Sequence, residues 1–412
     1  MNSRERVLSA INHIEPDGVP VDLGATPSSG ISAIAYDNLL GYLPFENKRN
    51  WVYDVVQQVA QPSIEVLEHF RIDTIDLGRT FNTQDSDWYD YTMPNGRTAQ
   101  QPVWFRSIKG ADGSHLVILG DEVIARMPAS AISYDQIVFP FLDGFPSDYG
   151  TNLDAAMGKI HWAALAHSPW DHSNEPDFWE SLRVKALRLR ANSDRAIVLS
   201  AGCNLFEWGT FLRRLDNFLM DLICAPAEVE RFLDALMLRH LTSLEKICQA
   251  VGDVVDILRL GDDLGMNTGP LMSPVTYRKL FKPRHRILCD YIKKHSTMHT
   301  FLHSCGSIYQ LIPDLIEVGF EILNPVQTNT RDMLPRRLKD EFGKDVTFWG
   351  GGVDTCSILN QGTPEQVKDH VRANIETLSP GGGFVFNTIH NILPDVPPEN
   401  IVAMFEAVDE YR

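Results

Sequence analysis

The sequence predicts an α/β fold, a (β/α)8 TIM barrel, and three observations support this prediction. Eight short apolar or β-branched runs each end in Gly, Asp, Asn or His. A helical pattern follows each run, and repeated strand-then-helix units favour a closed parallel barrel over an open doubly wound sheet. No G-x-G-x-x-G motif opens a helix after the first run, which argues against a dinucleotide-binding sheet.

The predicted strands follow one another along the whole chain. In order they are 19–24 (VPVDLG), 73–78 (DTIDLG), 196–203 (AIVLSAGC), 254–263 (VVDILRLGDD), 297–306 (TMHTFLHSCG), 320–327 (FEILNPVQ), 346–355 (VTFWGGGVDT) and 383–391 (GFVFNTIHN). One intervening helix has readable ends: Thr363 to Gln366 form a capping box with proline at the first helical position, and SPGGG stops the helix.

One region departs from the repeat. From about 85 to 140, Trp, Tyr, Val and Ile alternate between turn signals, including PNG at 94–96 and GADGS at 110–114. We interpret this region as a β-rich insertion after the second strand, and 154–192 as the helical return to the barrel. The expected organisation is one barrel domain over 1–412, with the insertion either a lid over the barrel mouth or a surface addition.

Composition excludes several functional classes. A formal charge of −17 leaves little attraction for phosphate backbones and argues against nucleic-acid binding. No run of 18 apolar residues occurs, and the start MNSRERVLSAINHIEPDG has no secretory core, so we expect a cytoplasmic protein with no membrane segment. The six cysteines lack paired spacing, which favours reduced thiols over a disulfide scaffold.

Three residues at predicted strand ends suggest a metal site. His303 and Cys305 lie two apart, hence on one side of a strand, and imidazole with thiolate is a common zinc pair. His390 follows the last alternating run and should face the same barrel mouth. Three protein ligands with an open fourth position are typical of catalytic zinc. The alternative is that all three are packed polar residues without a metal.

Further polar residues are expected at the same end of the barrel, because chemistry in this fold sits where strands end. The predicted catalytic group is Glu207, Asp262 and Asp263, with one acid of the pair serving as proton carrier or hydrogen-bond acceptor. The predicted substrate-binding group is Asn324, Gln327 and Asp354. The glycines of GGGVDT at 350–355 and the isolated Cys356 are left outside the core site, since glycines at a strand end serve packing as often as binding and an isolated cysteine is usually a small buried hydrophobe.

Several segments carry a family resemblance. RERVLSAINHIEPDGVPVD, GDDLGMNTGPLMSP, FLHSCGSIYQLIPDLIEVGFEILNPVQ, FWGGGVDT and QGTPEQV resemble the uroporphyrinogen decarboxylase superfamily, which has a (β/α)8 barrel. The H-x-C-G step resembles its branch of zinc methyltransferases that serve corrinoid proteins, such as methylcobamide:coenzyme M methyltransferases. There His, Cys and a distant second Cys hold zinc, and His390 occupies the place of that second Cys.

This resemblance implies a zinc cofactor and a methyl transfer between a small methylated substrate, or a pterin, and a corrinoid. The cobalamin signature D-x-H-x-x-G is absent, so the corrinoid is expected on a separate partner protein. Replacing a thiolate by an imidazole leaves about one more positive charge on the metal shell. The harder metal should favour an oxygen or nitrogen substituent over a thiol.

Two other functions stay open on the sequence alone. One is a decarboxylase acting on a tetrapyrrole or related carboxylate, although such enzymes present an Arg-rich loop after the first strand. Here the loop from Val21 to Ser32 contains no arginine, which weakens porphyrin chemistry. The other is a barrel that binds a small ligand without turnover.

Overall fold

The computed structural model describes residues 1–412. Its strands are β1 (Ile31–Ser32), β2 (Val52–Asp54), β3 (Val59–Ala60), β4 (Thr74–Asp76), β5 (Trp88–Thr92), β6 (Thr98–Pro102), β7 (Ser107–Lys109), β8 (His115–Leu119), β9 (Glu122–Met127), β10 (Asp135–Gln136), β11 (Ala196–Gly202), β12 (Ile257–Gly261), β13 (Gly265–Met266), β14 (Gly269–Pro270), β15 (His299–His303), β16 (Ile322–Asn324), β17 (Thr347–Trp349) and β18 (Phe384–Val385).

The helices surround these strands. They are α1 (Ser3–Ile11), α2 (Ala33–Tyr42), α3 (Ile64–His69), α4 (Gly150–Ala164), α5 (Phe178–Asn192), α6 (Phe206–Arg213), α7 (Leu215–Cys224), α8 (Pro226–Val251), α9 (Pro274–Leu280), α10 (Lys282–His295), α11 (Ile312–Val318), α12 (Pro335–Phe342), α13 (Pro364–Leu378) and α14 (Pro398–Asp409). The predicted capping box of α13 is present. None of these helices combines the length and apolar character needed to span a bilayer.

Seven strands form one parallel sheet in the order β18-β17-β16-β15-β12-β11-β4. The segment around Val21 lies between the two edges of this sheet. Val21 forms a parallel bridge with Phe386 next to β18, and its carbonyl accepts the Asp73 N–H beside β4 at 2.8 Å. The predicted barrel is therefore confirmed, with the first predicted run as its eighth member.

An apolar cluster fills the barrel interior. Ile257, Phe301 and Trp349 contribute from three different strands. Val7 and Ile11 of α1 belong to the same cluster, so α1 covers the amino-terminal end of the barrel. The opposite end, where the parallel strands finish, is left for polar side chains.

Strands β5 to β10 form the predicted β-rich insertion between β4 and β11. β5 pairs with β6 in an antiparallel hairpin, and its turn contains Gly96 at φ +82°. A second antiparallel sheet has the order β10-β9-β8-β7, with the GADGS turn joining β7 to β8. The prediction of hairpins in this region is confirmed.

Several predicted boundaries were wrong, because most observed strands are shorter than the predicted runs. The helical stretch from 154 to 192 is interrupted between α4 and α5, where Pro169 lacks the N–H that a helix interior requires. The last predicted strand, 383–391, ends at Val385. Phe386 still pairs with Val21, and beyond it the Asn387 side-chain amide donates to the carbonyl oxygens of Asp22 at 3.1 Å and Ser29 at 3.3 Å. His390 therefore lies in a loop.

Candidate metal centre at the barrel mouth

A recess of about 230 Å³ lies at the carboxyl ends of the barrel strands. Five sequence-predicted site residues line it: Glu207, Asp263, His303, Cys305 and His390. The remaining four, Asp262, Asn324, Gln327 and Asp354, lie outside its lining. Other walls come from the loop after the first barrel segment and from the end of α4 with its following loop, through Pro27, Ser28, Ala163, Ala164, Ala166 and His167.

His303, Cys305 and His390 come together in this recess. One possible ligand atom from each lies within 4.8 Å of the other two. His303 Nε2 is 3.4 Å from Cys305 Sγ, and the rings of His303 and His390 have centroids 5.7 Å apart. β15 ends at His303, so the strand places the first donor and the next two residues bring the thiol to the same side. Two imidazoles and a thiol form a donor set suited to zinc.

Asn324 orients the first of these imidazoles. It is fully buried at the end of β16, and its Oδ1 lies 2.8 Å from His303 Nδ1. The Asn324 Nδ2 donates to the Trp349 carbonyl at 2.9 Å, which fixes the amide so that oxygen faces the ring. His303 Nδ1 must then carry the hydrogen, and the Nε2 lone pair is directed towards Cys305.

Burial and neighbouring charges shift the pKa values of His303, Cys305 and His390. Loss of hydration, reinforced by the Arg259 charge, lowers the pKa of His303 well below its usual range and that of His390 to about 4. Both rings are therefore neutral, as a metal ligand requires. Loss of hydration also raises the pKa of Cys305, together with the nearby Asp263 and Glu207 charges.

Asp262 holds the adjoining helix. Its Oδ1 accepts the backbone N–H groups of Leu205, Phe206 and Glu207 at 3.0, 2.7 and 3.0 Å. Its Oδ2 lies 3.0 Å from His285 Nε2. Oδ1 thus caps the first turn of α6, where a negative charge satisfies unpaired N–H groups, and Oδ2 is held by a residue of α10. The structure places Asp262 where it positions Glu207.

Asp263 and Glu207 are the two acids that face the recess near the trio. Asp263 Oδ1 accepts the Cys305 N–H at 2.8 Å and lies 3.6 Å from His303 Nε2. Glu207 accepts a hydrogen bond from the Asn204 amide. Loss of hydration and the charges of Asp263 and Asp262 raise the pKa of Glu207 well above its usual range. The pKa of Asp263 is also raised, chiefly by loss of hydration.

Gln327 and Asp354 support loops around the recess. Gln327 Oε1 accepts the Gly306 N–H and so holds the turn that follows Cys305. Asp354 accepts the Cys356 N–H at 2.8 Å and the Ser357 hydroxyl at 2.7 Å. In this structure both side chains stabilise the conformation of loops through hydrogen bonds.

A family model described as uroporphyrinogen decarboxylase (URO-D) matches residues 207–411, the segment that holds all nine predicted site residues. The chain carries a URO-D family domain. The resemblance found in the sequence is therefore confirmed over this segment.

Curated relatives of the URO-D domain carry two different activities in their names. A uroporphyrinogen decarboxylase of Pseudoalteromonas translucida is 44% identical over 147 residues, which cover 35% of this chain and 39% of that protein. The methylcobamide:CoM methyltransferase MtaA of Methanosarcina barkeri is 26% identical over 164 residues, 38% of this chain and 42% of that protein. The chain thus matches less than half the length of each.

A solved structure matches over the full length. A methyltransferase from Methanosarcina mazei aligns with 100% of this chain and 99% of its own, with a TM-score of 0.58 and 17% identity. At this identity the likeness shows the fold alone. It agrees with the closed barrel described above.

Sequence reasoning missed one charged residue in the URO-D domain. Arg259 lies in the middle of β12 and reaches the recess. It shares a strand face with Ile257, which packs inside the barrel. The sequence signal for Arg259 was a charged residue within the otherwise apolar strand ILRLG.

The donor set fits a metal ion. His303 Nε2 is oriented by Asn324, and no protein hydrogen bond involves the ring nitrogens of His390. Their donor atoms and Cys305 Sγ are close enough to share one ion, with the acids Asp263 and Glu207 beside them. Such a three-ligand set leaves one tetrahedral position free. The three residues therefore form a candidate metal site whose donor set suits zinc.

Proposed function

We propose that this protein is a zinc-dependent methyltransferase that moves a methyl group between a small methylated substrate, or a pterin, and a corrinoid carried by a separate protein. The observation that carries the proposal is the cluster of His303, Cys305 and His390 in the recess at the barrel mouth. The methyltransferase among the curated relatives supports the same reaction class.

Each part of the recess has a proposed task. What zinc supplies when bound is Lewis-acid polarisation of the heteroatom that carries or receives the methyl group. Asn324 keeps His303 in the ligating tautomer, and Asp262 positions the first turn of α6. Glu207 and Asp263 are the carboxyl groups within reach to hold a proton for that heteroatom.

Metal analysis and a transfer assay test the proposal together. Protein purified without chelator should contain about one zinc per chain, since three ligands on a rigid frame make a site. His303→Ala and Cys305→Ala should lose zinc and methyl transfer but still melt cooperatively. The matched control is Cys356→Ala, because Cys356 is exposed and lies outside the cluster. It should keep both properties.

The transfer assay uses cob(I)alamin with methyl ethers, methylamines and methyl thiols, and the cobalt spectrum reports the reaction. Methyl transfer from one of these classes, lost with the zinc, would support the proposal. Absence of zinc in the wild type, or no transfer from any donor, would contradict it.

A carboxy-lyase is the second candidate, and the Arg259 guanidinium in the recess favours it, since a cation there can pair with a substrate carboxylate. Relatives named uroporphyrinogen decarboxylase agree with this reading. However, the recess of about 230 Å³ is smaller than the roughly 300–1,000 Å³ typical of drug-sized ligands. A tetrapyrrole needs more space than this recess offers. Release of carbon dioxide from a porphyrinogen by the purified protein would decide for this candidate.

A further inference from the structure

Arg259 is a cation without an anionic partner. Its only side-chain hydrogen bond runs from Nη2 to Ser28 Oγ over a long 3.4 Å. Its Nε–H is buried and has no acceptor at all. By contrast, Arg213, on the surface helix α6, pairs with Asp221 at 2.7 Å. Arg259 therefore retains most of its hydrogen-bonding capacity for a group that enters the recess.

The acids of the recess are engaged elsewhere. Asp54 accepts the Gln57 N–H at 2.8 Å and its side-chain amide at 3.3 Å. Asp263 accepts the Cys305 N–H, and Glu207 the Asn204 amide. None of the three forms an ion pair with the guanidinium. A charge withdrawn from water without a partner is costly, and that cost is relieved when an anion binds.

The rest of the recess sets the shape of the ligand. Val56, Phe211 and three alanines (Ala163, Ala164 and Ala166) form an apolar part of its wall. The metal donors His303, Cys305 and His390 line the same space. A ligand that satisfies all of these surfaces has a compact apolar body, an anionic end and a heteroatom able to approach the donors.

We propose that Arg259 binds the carboxylate of a small methylated acid, and that this acid is the substrate class of the recess. Guanidinium and carboxylate pair through two parallel hydrogen bonds, which fixes the orientation of the acid as well as its affinity. The apolar body then lies against the alanine wall and the methyl-bearing heteroatom reaches the donors. The methyl part rests on the proposed function, whereas the carboxylate part rests on Arg259 alone.

The test measures binding and needs no turnover. Calorimetry compares methoxyacetate and 4-methoxybenzoate with their uncharged amides, for the wild type, Arg259→Lys and Arg259→Met. We expect at least one acid to bind more tightly than its amide. Arg259→Met should weaken that acid about 10- to 100-fold, the range for a hydrogen-bonded charge pair, and leave the amide unchanged. Arg259→Lys should be intermediate, because it keeps the charge and loses the fork.

Arg106→Met is the matched control. Arg106 is exposed on the insertion, stacks on Tyr89 at 3.9 Å from the ring centroid and forms no ion pair. Its removal takes the same charge from the protein and should leave acid binding unchanged. Zinc content and thermal melting of every variant show whether the fold and the metal centre are intact.

Three outcomes would overturn the inference: neither acid binds better than its amide, Arg259→Met binds the acid as well as the wild type does, or Arg259→Met loses zinc. The last result would assign Arg259 to the metal centre instead. A wild type that binds the acid through Arg259 but transfers no methyl group would contradict the proposed function and leave the carboxylate site standing.

Discussion

The substitution Asn324→Leu tests whether Asn324 orients a metal ligand or only packs in the protein interior. Leucine has the same branched shape and number of side-chain heavy atoms but offers His303 no acceptor and Trp349 no donor, whereas Asn324 bonds them at 2.8 and 2.9 Å. Without Oδ1 the imidazole is free to place its hydrogen on either nitrogen. The tautomer with Nε2–H cannot bind a metal through that atom.

The expected magnitude follows from these two contacts. Loss of a partner that orients a metal-bound histidine lowers metal affinity about 10- to 100-fold. Two buried groups left without partners cost about 1–3 kcal/mol each in unfolding free energy. Asn324→Asp keeps an acceptor for His303 and loses only the donor to Trp349. It should therefore retain zinc while losing part of the stability.

Zinc affinity is measured by competition with a chromogenic chelator, and unfolding free energy by denaturant titration. Asn374→Leu is the control, because Asn374 is also buried, donates to the Gly352 carbonyl at 3.1 Å and lies beside His370. It should lose stability and keep wild-type zinc affinity. The reasoning is refuted if Asn324→Leu binds zinc like the wild type, or if Asn374→Leu weakens zinc equally.

Three further predictions address other parts of the chain. His390→Cys should keep zinc and shift transfer activity towards thiols, because a second thiolate makes the metal softer and less positive; an unchanged preference in the transfer assay would contradict this. Deleting the 110–114 turn should leave cooperative melting intact and alter substrate affinity or corrinoid-protein docking. If the kinetics with the partner protein are unchanged, the insertion contributes neither to substrate binding nor to docking. Burial raises the pKa of Glu321, yet hydrogen bonds from His299 and Thr300 lower it overall to about 2. Its contribution to stability is therefore complete above the ordinary pKa of 4.5 and is lost as pH falls towards 2. Glu321→Gln should flatten stability against pH in that window, and an unaltered curve from denaturant titrations would refute the assignment.

The barrel was predictable because each of its strands combines an apolar run with a polar end. Even the run at 19–24 was found from sequence, although only Val21 forms a bridge there. The boundaries were less predictable, since the segment after β18 is held by distant contacts such as those of the Asn387 side chain, which bonds residues more than 350 positions away. No local pattern encodes such a contact.

The candidate metal donors could be predicted from the sequence, whereas the residues that position them were harder to predict. His303, Cys305 and His390 have side chains whose chemistry is informative without a structure. Asn324, expected to bind substrate, instead contacts His303 in this structure, because the pairing of β15 with β16 sets its position. The pairing register is a tertiary property. Arg259 was overlooked because charges within strands usually point to solvent, whereas both faces of a barrel strand are covered.

The closure of the sheet by its first and last members also constrains how the protein is made. Val21 is synthesised long before its neighbour Phe386. His390 is synthesised later still, so His303 and Cys305 of the proposed metal centre emerge before the third donor. Until β18 has been synthesised, the nascent sheet remains open, and its edge strands expose backbone groups that can pair with other strands. The full donor set of the proposed metal centre is thereby available only after His390 has been synthesised.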